Sequence, residues 1–128
     1  MPISYMLDSA RQRLLTTVSG PIVFEDIRDH LETLRKEQNL GYAELIDART
    51  ATTSMLSSAD ILRLADLARP AVGQRACGPR AVVVNIEVAF GMVRMLGILL
   101  TEHSNLEVFR GLDEAERWLA GFRPVEGP

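Results

Sequence analysis

The sequence predicts an α/β fold built on a five-stranded mixed sheet: an N-terminal hairpin, then parallel strands, with the helices on one face. Three observations support this. Short runs rich in β-branched and aromatic residues alternate with longer segments of helical periodicity, in the order ββαβαβαβα. Strand–helix–strand crossovers are right-handed almost without exception, so a sheet whose strands follow chain order carries every crossover helix on the same side. Finally, alternate strand positions divide into two sets. Ile3, Tyr5, Leu7, Leu14, Val18, Leu45, Val82 and Val84 belong to the better-packed set, whereas Ser4, Asp8, Arg13, Thr17, Glu44 and Glu107 belong to a mixed one. A sheet covered on both faces rarely tolerates such a mixture, which assigns the second set to an open face.

Each element has its own warrant. Ile3 to Leu7 and Arg13 to Ser19 read as strands, joined through the polar DSARQ as a hairpin. Ser19-Gly20-Pro21 breaks the pattern. Phe24, Ile27, Leu31 and Leu34 then recur at helical spacing to about Lys36, with Glu25 and Asp26 in the favourable first turn and Asn39 and Gly41 as the stop. Ala43 to Ala48 is the third strand. A helix follows from about Ala59 to Arg69, opened by Ser57 and Asp60 at capping-box spacing and closed by Pro70. Ala81 to Ile86, with three consecutive valines, reads as a central strand. Val88 to His103 is a helix, Leu106 to Arg110 a strand and Leu112 to Ala120 the closing helix.

The chain has 128 residues, the size of one domain, taken as 1–123 with a short tail at 124–128. Hydrophobic residues make up 47% and charged residues 24%, enough apolar side chains for a core without metal or disulfide support. Net charge is -3 and the basic residues are dispersed, which argues against nucleic-acid binding. A lone cysteine, Cys77, suits a reducing compartment. The N-terminus lacks a basic start followed by an apolar run, and Arg94 interrupts the most apolar stretch, Val88 to Leu100. A cytoplasmic protein with no transmembrane segment is expected.

Four segments, LIDAR (Leu45 to Arg49), SSADI (Ser57 to Ile61), AFGMVRM (Ala89 to Met95) and VFRGLDEAERWL (Val108 to Leu119), follow one another in an order and spacing that resembles the SpoIIAA-like group of small bacterial proteins. These are related to STAS domains and often described as STAS/SEC14-like. The resemblance covers about Ile3 to Leu119 and implies a β-α superhelix with helices on one side. It implies no defined activity, although the wider family is known for a phospho-switch: an acceptor serine at a helix N-terminus, after a strand carrying an acid. Asp47 ends such a strand here and Ser57 and Ser58 open the next helix, making them the phospho-acceptor candidates. The compact Asp-Ser-Ser/Thr-Gly arrangement of that family is absent.

Catalytic and metal chemistry have little support. Cys77 has Arg75 and Arg80 near it in sequence, which favours a thiolate, yet neither histidine is linked to it. His30 reads as a solvated helix residue, and His103 as a partner of a negative helix end. No metal-ligand spacing occurs, and Asp113, Glu114 and Glu116 open a helix where acids are favoured anyway. No catalytic residue, cofactor or metal is expected.

The Val88–His103 helix is chemically odd. Val88, Met92, Met95, Leu96 and Leu99 make a core face, but Phe90, Arg94, Ile98 and Thr101 form a second stripe where a surface helix should be polar. The last helix, through Trp118 and Leu119, would cover that stripe, or it meets a partner or ligand. The resulting expectation is a non-enzymatic, self-associating interaction or regulatory module, most simply a homodimer. The open sheet face is its expected interface, through a band formed by Met6, Leu15, Ile46, Val83 and Phe109. The alternative is a carrier or sensor of a small amphipathic, lipid-like ligand at Phe90, Arg94 and Ile98.

Overall fold

A computed structural model describes residues 2–73, 78–100 and 105–122. Its elements run β1 (Ile3–Asp8), β2 (Arg13–Pro21), α1 (Phe24–Lys36), β3 (Ala43–Thr52), α2 (Ser58–Gly73), β4 (Arg80–Val83), α3 (Glu87–Leu99), β5 (Leu106–Phe109) and α4 (Leu112–Ala120). The sheet order is β1-β2-β3-β4-β5, with β1 antiparallel to β2 and the other pairs parallel. The mixed five-stranded sheet and its element order are therefore those the sequence predicts. His103, Cys77, Arg75 and the 124–128 tail lie outside the described residues, and Thr101 does too.

Local chemistry explains the helix limits. Asp26 turns its carboxylate back to accept the Val23 N–H at 3.0 Å, capping the start of α1. At its other end Gln38 sits in the left-handed region (φ 60°). The Asn39 N–H reaches the Leu34 carbonyl at 2.8 Å and the Gln38 N–H the Arg35 carbonyl at 3.1 Å, the paired bonds of a Schellman turn. Ser57 and Asp60 form the reciprocal box expected of them: the Asp60 N–H donates to Ser57 Oγ and the Ser57 N–H to the Asp60 carboxylate. Pro70 does not end α2, which continues to Gly73.

The one-sided placement of helices is corrected. α1, α2 and α3 cover one face, where Val18, Ile46, Ala48, Val82 and Val84 meet Phe24, Ile61, Leu64 and Ala89. α4 lies on the other, packing Ala115 and Leu119 against Leu45, Ala81 and Val83. The physical reason is topological. The first three helices are crossovers between parallel strands and obey the handedness rule, whereas no strand follows α4, which is free to seek the apolar residues on the far side.

The register also moves β3 by one position. Thr16, Ile46 and Val82 lie abreast, as do Leu15, Leu45 and Ala81. Ile46 and Glu44 therefore face the three-helix side and Leu45 faces α4, the reverse of the sequence assignment. A one-residue slip inverts every side chain of a strand.

Candidate functional site

Two regions stand out chemically. The first is built at the amino ends of β3 and β4. Glu44 and Arg80 are paired across those strands, so their side chains emerge on the same face beneath α1. Glu44 is 1% exposed. Its carboxylate receives the Arg80 guanidinium at 3.0 Å, the Thr16 hydroxyl at 2.5 Å and His30 Nε2 at 2.8 Å. Arg80 also donates to the Gly78 carbonyl at 2.6 Å. Burial alone would raise the Glu44 pKa. The hydrogen bond with His30 and the Arg80 guanidinium, helped by the Thr16 hydroxyl, outweigh burial and hold the carboxyl below its ordinary value.

His30 is thus no solvated helix residue. It lies between Ile27 and Leu34 on the inward face of α1, with its side chain 14% exposed. The Tyr5 ring meets its ring edge-on at 5.6 Å, and the two line a groove with Pro2, Ile3, Asp26, Asp29 and Thr33. The Tyr5 hydroxyl donates to Glu37 and accepts from Asn39 at 3.3 Å. Sequence reading missed this cluster, although the helical spacing Ile27-His30-Leu34 already puts the histidine on the core side.

The second region is the outward side of α3. Val88 is 62% and Ile98 66% exposed, and Arg94 and Gly91 are exposed between them. Val88 thereby leaves the core face predicted for it and joins the outer stripe. Phe90 is half-buried instead, with the Arg110 guanidinium stacked on its ring at 3.9 Å. Arg110 also makes a two-point ion pair with Glu87, at 2.8 and 3.0 Å. Among the described residues Arg94 has neither hydrogen bond nor ion pair; Glu116, a conceivable partner, is held by Arg13 and Arg11. α4 does not cover the stripe, because Trp118 packs on the opposite face between Phe109 and Phe122.

The two glycines of α3 differ instructively. A Cβ on Gly97 would lie 2.9 Å from the Leu106 carbonyl oxygen, so close packing on β5 requires glycine there. A Cβ on Gly91 would meet nothing within 4 Å. Nothing in the described chain explains a glycine at this helix-interior position, where it is less favourable than alanine by about 1 kcal/mol.

The proposed sheet-face band is not an open surface. Val83 is fully buried under α4, Leu15 and Phe109 pack into the same cluster, and Ile46 lies on the other face. Met6 alone of the five stands largely exposed, on the edge strand β1. Asp47, on the α4 face, is held below its usual pKa by Arg49, which bonds both its oxygens at 2.9 Å. Ser57 is committed to its cap, and Ser58 is exposed beside it.

Comparison with solved structures agrees with this architecture. The chain is similar to an uncharacterised protein of the DUF3478 family with a SpoIIAA-like fold from Shewanella loihica PV-4, with TM-score 0.60 and 18% identity over 91% of this chain and 93% of that one. The fold is SpoIIAA-like. No family model and no curated protein matches the sequence. Within this SpoIIAA-like frame the buried cluster marks the amino ends of the parallel strands, and the exposed α3 face begins beyond their carboxyl ends. Among the described residues no helix is long and apolar enough to cross a membrane, and no group of three metal-ligating side chains occurs.

Proposed function

We propose that the protein is a non-enzymatic interaction module that pairs with a second copy of itself through the outward face of α3. The observation that carries this reading is Gly91, a helix-interior glycine with open space around it, set in a stripe with the exposed Val88 and Ile98. Glycine lets another backbone approach closely, and the apolar neighbours supply area to bury.

Charge favours a second copy over an unrelated partner. In an antiparallel two-fold crossing centred on Gly91, positions three or four residues before it oppose those three or four residues after it. Glu87 and Val88 of one copy then meet Arg94 of the other, twice by symmetry. The exposed Arg94 would share with Arg110 the Glu87 carboxylate, which Arg110 already holds at both oxygens, and its stem covers Val88. Ile98 reaches the neighbourhood of Ile86, itself 42% exposed. The face is self-complementary in charge and in apolar content.

Sedimentation at micromolar concentration tests this. The wild type should sediment as a dimer, and Ile98→Glu and Gly91→Leu as monomers with unchanged circular dichroism. Arg94→Glu should also dissociate, and pairing Arg94→Glu with Glu87→Arg should restore association. A wild type that is monomeric, or variants that remain dimeric, would sink the reading.

A lipid carrier at Phe90, Arg94 and Ile98 has less support, because one face of the Phe90 ring is already taken by Arg110.

A further inference from the structure

β1 is an edge of the sheet, with no described strand beyond it. The Ser19 N–H donates to the Pro2 carbonyl at 3.0 Å, which sets the phase of the β1–β2 ladder. Opposed residues in an antiparallel pair alternate between those that exchange both backbone bonds and those that exchange none. Ser4, Met6 and Asp8, opposite Thr17, Leu15 and Arg13, therefore spend their N–H and C=O groups on β2. Ile3, Tyr5 and Leu7 turn theirs away from the sheet, a row of alternating donors and acceptors.

Edge strands are ordinarily blunted by charged side chains, proline, a bulge or short length. β5, at the other edge, has four residues and carries Glu107 among them. β1 has six, and from Ile3 to Leu7 it contains neither charge nor proline. Its register with β2 runs without a shift. Met6 is 63% and Leu7 42% exposed along it. This edge is open to a further strand.

The groove beside it limits which strand. It lies between Ile3 and Tyr5 of β1 and Asp26, Asp29, His30 and Thr33 of α1, with a volume of about 210 Å³. Liquid water takes about 30 Å³ per molecule, so a long side chain fits. Asp26, Asp29, Thr33 and Glu37 follow at three- and four-residue steps and share one stripe of α1, with Arg28 and Arg35 on the opposite side. Arg28 reaches back to Asp29 at 3.1 Å, whereas Asp26 and Glu37 meet no cation among the described residues.

We propose that β1 docks an extended segment of another protein in which basic residues alternate with apolar ones. Backbone bonds to Ile3, Tyr5 and Leu7 hold the segment as a sixth strand. Its alternate side chains point to opposite faces, the basic set over the acidic stripe and the apolar set beside Met6. A second copy suits this edge poorly, because two-fold pairing of β1 with itself sets two acidic stripes side by side. The site is separate from α3 and does not depend on pairing there.

Hydrogen exchange by NMR of the whole protein with the peptide acetyl-(Lys-Val)4-amide tests the docking. In the free protein the Ile3, Tyr5 and Leu7 amides should exchange fast, and those of Ser4 and Met6 slowly. Saturating peptide should slow the first three by about tenfold or more. The matching Glu-Val peptide, and the Lys-Val peptide N-methylated at every residue, should leave them unchanged. Asp29→Asn alters an exposed side chain and should keep the fold while weakening the Lys-Val peptide roughly two- to fivefold. Unchanged exchange with the Lys-Val peptide, equal binding by either control, or full affinity in Asp29→Asn would overturn the proposal. So would protection of the three amides in the free protein that is lost on dilution, since a second copy would then hold the edge.

Discussion

At the amino ends of β3 and β4, Glu44, Arg80 and His30 are withdrawn from water, with Arg80 and His30 both bonded to Glu44, while along α3 Val88 and Ile98 stand exposed, uncovered by any of the described residues. Each region departs from the usual partition of polar residues outside and apolar residues inside, but they resolve the departure differently. Glu44 finds its partners within the chain: a cation, a hydroxyl and an imidazole occupy its two oxygens. Among the described residues the α3 stripe finds none, and the second copy proposed above would supply its cover. A self-contained anomaly points to stability and register, an unfinished one to association.

That contrast predicts its largest effect at Arg80. Arg80→Leu leaves the Glu44 carboxylate buried without its cation, and breaking such a pair typically costs about 3–5 kcal/mol. Chemical denaturation should show that loss. The opposite face of the comparison predicts that Ile98→Glu, whatever it does to association, changes the stability of the isolated subunit by about 0.5 kcal/mol or less. If the two variants proved equally destabilised, the α3 stripe would be part of the core and the distinction would collapse.

Acid should act on the same cluster. The Glu44 carboxyl is held below its ordinary value of 4.5 in the fold, so the unfolded chain binds its proton first as pH falls. Its contribution to stability is full above that value and disappears as pH drops through the lower, folded value. Glu44→Gln removes the titration and leaves Arg80 without its anion. The variant should start less stable at pH 7 yet lose less further stability below pH 4.5 than the wild type. Parallel pH profiles for the two proteins, measured by denaturant midpoint, would show that Glu44 does not carry this linkage.

How much of this was legible in the sequence follows from the range of each interaction. Periodicity and capping are local, and the nine elements, the Ser57–Asp60 box and the strand order were readable from neighbouring residues and one handedness rule. The facing of β3 was not, because Leu45 and Ile46 are both apolar and alternation alone does not decide which belongs to which side. Pairing across strands decides it: Ile46 lies abreast of Thr16 and Val82. That error hid the cluster, since with Glu44 on the wrong face no reason remained to link it to His30, fourteen residues earlier and across a layer. The position of α4 failed for a related reason: as the last element, it is constrained by packing and not by connectivity. At α3 the apolar excess was visible as such, but exchanging Val88 for Phe90 on the outward side required knowing where Arg110 would lie.

The smallest expected effect separates the two glycines of α3. Gly97→Ala sets a methyl group against the Leu106 carbonyl oxygen, where α3 rests on β5, and overpacking of this kind typically destabilises by about 1–3 kcal/mol. Gly91→Ala meets open space and removes backbone freedom from the unfolded chain. In a subunit kept monomeric by Ile98→Glu, it should therefore stabilise by about 0.4–1 kcal/mol. In the wild-type background the same methyl group stands at the proposed crossing point between two copies, where it holds the backbones apart. The gain should shrink or reverse as protein concentration rises, because stability then includes the free energy of association. Thermal unfolding of both glycine variants, with and without Ile98→Glu and at two concentrations, reads the difference directly. If Gly91→Ala stabilised equally in every background, the open space beside Gly91 would be plain solvent, and α3 would lose its claim to be where two copies meet.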